Sequence, residues 1–243
     1  ISVTGGKTYT VTQFSTDLSI GQLVQHLDFD PNFDGGDGIE FAINSSQGEH
    51  SFPDAGRNSS GRTVVVWNAS LAPSDEDQVR AQMFTALGEP IGGEFKINIT
   101  ALPSAAFPRV RVTDDGSFVV GWRNSGKLYL RRFDTAGSPL TGEVLVNPIG
   151  TAAEWSMDAD VAGNLLVAWG SFDRGDNDGD VFARRFLPTL AASSDDFLVN
   201  TTTARFQGEP TVACHPSGSG AVIVWHGERA GSLDVYGQRF NLA

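Results

Sequence analysis

Apolar and polar residues alternate along this chain in short runs, and no stretch sustains the 3.6-residue spacing of an amphipathic helix. The runs "TVVVW", "SFVVGW", "NLLVAW" and "AVIVW" are rich in Val, Leu and aromatic residues and predict buried strands ending at Trp67, Trp122, Trp169 and Trp225. These tryptophans lie 55, 47 and 56 residues apart. A second motif follows each one, "AQMF", "LRRF", "ARRF" and "GQRF", ending at Phe84, Phe133, Phe186 and Phe240. A third, "EFKIN", "EVLVN" and "DFLVN", ends at Asn98, Asn147 and Asn200, in each case 14 residues after the Phe. A fourth precedes each tryptophan and begins near Phe52, Phe107 and Trp155. At the N-terminus "IEFAIN" ends at Asn44, with Phe29 and Phe14 at further steps of 15 residues, so a degenerate fifth copy opens the chain.

Each copy predicts four short strands separated by Gly, Asp, Asn and Pro, a unit of 40–50 residues typical of a propeller blade. One small sheet cannot bury either face alone, whereas sheets set side by side cover one another, with the Trp strand as the wedge. The expected fold is all-β: a five-bladed β-propeller of four-stranded antiparallel blades with the last blade incomplete, since the sequence stops three residues after Phe240. It forms a single domain over residues 1–243, with blades near 1–49, 50–103, 104–152, 153–205 and 206–243. Closure then rests on three strands or on a continuing chain.

The aligned pattern is best seen in "DVFARRFLPTLAASSDDFLVN" (180–200) and "GAVIVWHGERAGSLDVYGQRF" (220–240). It resembles a β-propeller repeat of bacterial extracellular proteins associated with haemolysin-type calcium-binding segments. The resemblance covers residues 40–243 well and 1–39 weakly. It implies a secreted or cell-surface location and supplies no catalytic residue set.

Acidic residues outnumber basic ones 29 to 17, a net charge of −12 that repels phosphate backbones and argues against nucleic acid. No apolar run reaches membrane length, so no membrane insertion is expected. The start "ISVTGG" reads as that of a processed or shortened chain. Cys214 stands alone and is expected to pack as a small apolar residue. The four histidines have no zinc-like spacing, and there is no G-x-S-x-G elbow.

The acidic run "DRGDNDGD" makes Asp173, Asp176, Asp178 and Asp180 candidate ligands for Ca2+, because alternate carboxylates with a glycine between can wrap a hard cation. Asp30, Asn32, Asp34 and Asp37 form a second candidate set. Trp155 holds the place of Phe52 and Phe107 in the other copies, which favours an inter-blade packing role; where these aromatics reach the surface they are candidate sugar-stacking residues instead. The expected function is a non-catalytic extracellular ligand-binding propeller, with carbohydrate or a cell-surface or matrix partner as ligand and loops stiffened by calcium. One alternative is a five-bladed glycoside hydrolase, supported by Asp54, Asp158 and Asp160 in or near the axial first strands. The other is a structural spacer of a larger adhesin. Sequons occur at Asn44, Asn58, Asn68, Asn98 and Asn200; those on the repeat motif are expected to serve strand-end hydrogen bonding.

Overall fold

The computed structural model describes residues 41–71, 76–104, 106–174, 178–229 and 231–241. The chain divides into two compact units, Ile1–Ala42 and Ile43–Ala243, and every described strand belongs to the second. Among the described residues there is no helix.

The strands form four antiparallel sheets, each a simple meander. The first contains β1 (Gly48–Arg57), β2 (Thr63–Leu71), β3 (Glu76–Phe84) and β4 (Pro90–Lys96). The second contains β5 (Arg109–Val112), β6 (Phe118–Asn124), β7 (Lys127–Phe133) and β8 (Val144–Leu145). β9 (Trp155–Ala159), β10 (Leu165–Ser171), β11 (Asp180–Phe186) and β12 (Phe197–Leu198) make the third. The last sheet has three strands, β13 (Gln207–Cys214), β14 (Gly220–Arg229) and β15 (Ser232–Asn241). The expected first copy lies almost wholly outside the described residues.

Alternation along the second strand of each copy explains how the sheets pack. In β6, Phe118, Val120 and Trp122 face the first sheet while Val119 faces the third. In β10, Leu165, Val167 and Trp169 face the second sheet while Leu166 and Ala168 face the last. A two-residue period thus sends alternate side chains to opposite faces, and both faces are buried. This is why β6 and β10 read as continuous apolar runs, whereas in β14 one face, with Val222 and Val224, is exposed. Phe118 stacks on Phe133 with centroids 5.1 Å apart, joining the Trp-strand and Phe motifs of the second copy. The first strands neighbour one another in the order β1, β5, β9, β13.

The Asn motif closes each four-stranded sheet. Asn98, Asn147 and Asn200 are buried, and their Oδ1 atoms accept the N–H of Val79, Leu128 and Val181 at 2.8, 2.6 and 2.7 Å. Strand-end hydrogen bonding is therefore what these side chains do.

Candidate active site

The neighbouring first strands bring Asp54, Arg111 and Asp158 together. Pairing registers place Gly56, Arg111, Asp158 and Ala213 at one equivalent position, opposite Val64, Val119, Leu166 and Val222. The absent side chain at Gly56 and the methyl group at Ala213 leave the long Arg111 side chain to dominate this level. Its Nε lies 3.1 Å from Asp158 Oδ1 and its Nη1 3.8 Å from Asp54 Oδ2. All three side chains are partly exposed, so solvent reaches the cluster. Arg111 and Asp158 line a cleft of about 240 Å³, together with Thr113, Asp114 and Asp160.

The carboxylates also tie sheets together. Asp54 Oδ2 accepts the N–H of Val110, and Asp158 Oδ2 accepts the N–H of Cys214, each at 2.8 Å. Asp160 accepts the backbone N–H and side-chain amide of Asn164, closing the β9–β10 turn. In the β5–β6 turn the Thr113 hydroxyl and the Ser117 hydroxyl and N–H hold the Asp115 carboxyl at about 2. Burial, followed by the charges of Asp158 and Asp160, pushes the Cys214 thiol up to about 12. The thiol therefore stays protonated and packs against the core between the last two sheets.

Trp155 departs from its expected equivalence with Phe52 and Phe107. β1 carries two residues, Phe52 and Pro53, across from Trp67, where the register shifts. β9 has no such bulge, and Trp155 pairs directly with Trp169. Its indole is only 5% exposed and crosses to the second sheet, where an added Cβ at Gly121 would sit 2.6 Å from its ring. Trp155 is thus an inter-sheet wedge, inaccessible to a sugar. Phe52 and Phe107 do meet at the surface, with centroids 4.2 Å apart and the Arg123 guanidinium over Phe107. Both hold the left-handed backbone conformation, with φ of 52° and 47°.

The acidic hairpin is divided among partners. Asp173 accepts the N–H of Thr151 and the Ser171 hydroxyl, and the Thr151 N–H holds its carboxyl below the usual range. Asp180 is buried and accepts the Asn200 amide at 2.6 Å, while Asp178 is exposed. Asp176 lies outside the described residues, as do Asp30, Asn32, Asp34 and Asp37. Among the described residues, no group of three or more His, Cys, Asp or Glu side chains is arranged to hold a metal ion.

Arg111 was invisible as a hub in the sequence, where "PRVRV" reads only as a strand. Two acids that tie one copy to the preceding one were also missed. Glu94 accepts the N–H and hydroxyl groups of both Ser45 and Ser46, and pairs with Arg80. Glu143 accepts the N–H of Ile99 and the N–H and hydroxyl of Thr100, in the preceding copy. Their constant place, four residues before the Asn, was the available signal.

No family model matches the chain, and no curated protein matches it. Solved structures share its fold. A protein of unknown function from Dyadobacter fermentans aligns over 82% of this chain and 54% of its own, with TM-score 0.55 and 12% identity. The GH93 α-L-arabinofuranosidase of Fusarium graminearum, solved with arabinobiose, aligns over 79% and 62%, with TM-score 0.52 and 15% identity. The α-L-arabinanase of Penicillium chrysogenum, also solved with arabinobiose, aligns over 78% and 62%, with TM-score 0.52 and 12% identity. The chain thus spans a little over half of the length of these proteins. The expectation of a non-catalytic, lectin-like propeller is corrected here: the neighbours with a named activity are glycan-cleaving enzymes, and the aromatics expected to repeat as sugar subsites do not repeat. What the chain shares with them is a propeller-like, all-β fold.

Proposed function

We propose that this chain acts as a five-bladed propeller glycoside hydrolase. The observation that carries this reading is the meeting of Asp54 and Asp158 on Arg111 at the inner strands, where Arg111 and Asp158 line an open cleft. Glycoside hydrolysis uses two carboxyl groups flanking the scissile bond. One protonates the departing oxygen; the other attacks the anomeric carbon or activates water. Asp54 and Asp158 are assigned these two roles as a pair, and Arg111 is the positioning residue that fixes them relative to each other. The substrate class is an uncharged arabinofuranoside, in keeping with the arabinobiose in both named neighbours. The cleft is below the roughly 300–1,000 Å³ of sites for drug-sized ligands, which suits one terminal sugar unit. The repeat's resemblance to extracellular proteins suits a polysaccharide substrate outside the cell.

The test is sugar release from linear arabinan and from an aryl α-L-arabinofuranoside. The wild type should release sugar, and Asp54→Asn and Asp158→Asn should each lower the rate by about 100-fold or more. An inactive wild type, or folded variants as active as it is, would overturn the proposal. A second reading, the structural spacer, rests on one observation. Asp54 and Ser156 share a register position, and each accepts a backbone N–H from the next sheet, of Val110 and Val212. On that reading Asp54→Asn changes thermal stability alone.

A further inference from the structure

We infer that the cavity between β4 and the turn after β7 is a binding site for a small aromatic carboxylate. The repeat shows why a cavity lies there. Leu190 and Gly137 hold the same place, each four residues after the Phe of its copy. Both take the left-handed backbone conformation, with φ of 62° and 81°. That conformation is unfavourable for leucine and open to glycine without strain. Leu190 adopts it all the same, and its buried side chain fills the space between the second and third sheets. Between the first and second sheets Gly137 puts no side chain there. Phe95, where the second copy has Val144, takes up part of the room, with its ring tip 3.1 Å from a Cβ added at Gly137.

Gly137 thus lines a cavity of about 460 Å³. This lies within the roughly 300–1,000 Å³ of small-molecule sites. The cavity shares no lining residue with the axial cleft, so the inference does not depend on the hydrolase reading.

The lining points to the ligand. Met83, Phe95 and Phe133 form an apolar floor, with the Phe95 and Phe133 rings 6.1 Å apart and inclined at 60°. Such a floor suits a flat ring set edge to face. Gly92 and Gly93 form part of the rim, in a stretch of β4 where three residues oppose Gln82, and nothing stands within 4 Å of a Cβ added at either. A ring can therefore enter past them.

The charged groups on the wall are Lys96 and Arg131, and among the described residues no acid lines the cavity. That is a local reversal of charge in a chain whose acids outnumber its bases 29 to 17. Lys96 is exposed, and the other two complete sheets carry Leu145 and Leu198 at its place, two residues before the Asn. Arg131 donates to the Thr141 and Ile97 carbonyls, and a guanidinium has five donors, so others remain. A carboxylate borne by the ring would receive charge-assisted hydrogen bonds from both cations.

The probe is trans-cinnamate, titrated calorimetrically into the full chain, with neutral cinnamamide as its control. Saturable one-to-one binding of the carboxylate is expected, with the amide about tenfold weaker or more. Lys96→Leu gives this sheet the residue of the other two, and should weaken cinnamate binding about tenfold while leaving the melting temperature nearly unchanged. Gly137→Leu, copying Leu190, should abolish binding by filling the cavity; if it unfolds the protein, Lys96→Leu decides. No saturable heat at millimolar cinnamate, equal affinity for the amide, or binding unchanged by Lys96→Leu would each overturn the inference.

Discussion

Gly121 and Trp155 show how one residue sets the spacing between two sheets. Trp155 crosses from the third sheet into the hollow that Gly121 leaves on the second. Gly121→Val should cost about 1–3 kcal/mol through overpacking, read as a lower denaturant midpoint with an unchanged slope. The buried asparagines make a similar argument in polar form. Asn147→Ala strands the buried N–H of Leu128, for about 1–3 kcal/mol, measured in the same way. Because Asn98 and Asn200 are occupied in this way, they should carry no glycan when the chain is made in a eukaryotic secretory pathway, as peptide mass spectrometry would show. The repeat spacing made these asparagines legible as structural residues. The inter-blade role of Trp155 was legible from its place in the repeat; its insertion opposite Gly121 was not, because it depends on a bulge present in β1 and absent from β9.

At the scale of elements, latches between successive copies carry the electrostatics. Burial alone would raise the Glu94 carboxyl, but hydrogen bonds from the Ser45 hydroxyl and N–H, Ser46 and Arg80 hold it at about 2. A carboxyl lowered by folding stabilises the folded state above its unfolded value, and that contribution is lost as pH falls toward the folded value. Stability should therefore decline from about pH 4.5 to about 2, and Glu94→Gln should flatten that part of the curve, measured by urea denaturation at each pH. The Arg residues of the Phe motifs are latches as well. Arg131 donates to the Ile97 carbonyl at 2.6 Å and Arg184 to the Val146 carbonyl at 2.9 Å, each reaching the preceding sheet. The repeated "RRF" pointed to these residues without revealing their partner, because the partner lies 34 and 38 residues earlier in the chain.

At the scale of the molecule, each core among the described residues is shared by two consecutive sheets, so their stability is a sum of neighbour interfaces. Amide exchange should be slowest in β6 and β10, whose residues feed two cores, and fastest along the outer edge of β15. Sequence alone determined the repeat and the strand content, because a two-residue period and a fixed motif spacing are local properties of a strand. It also marked Asp54 and Asp158 as inner-strand carboxylates. Only the tertiary structure decided that these two meet on Arg111 and that Trp155 inserts opposite Gly121. The physical reason is that these facts rest on strands 47 to 56 residues apart being brought side by side, and on bulges that shift which side chains then face each other.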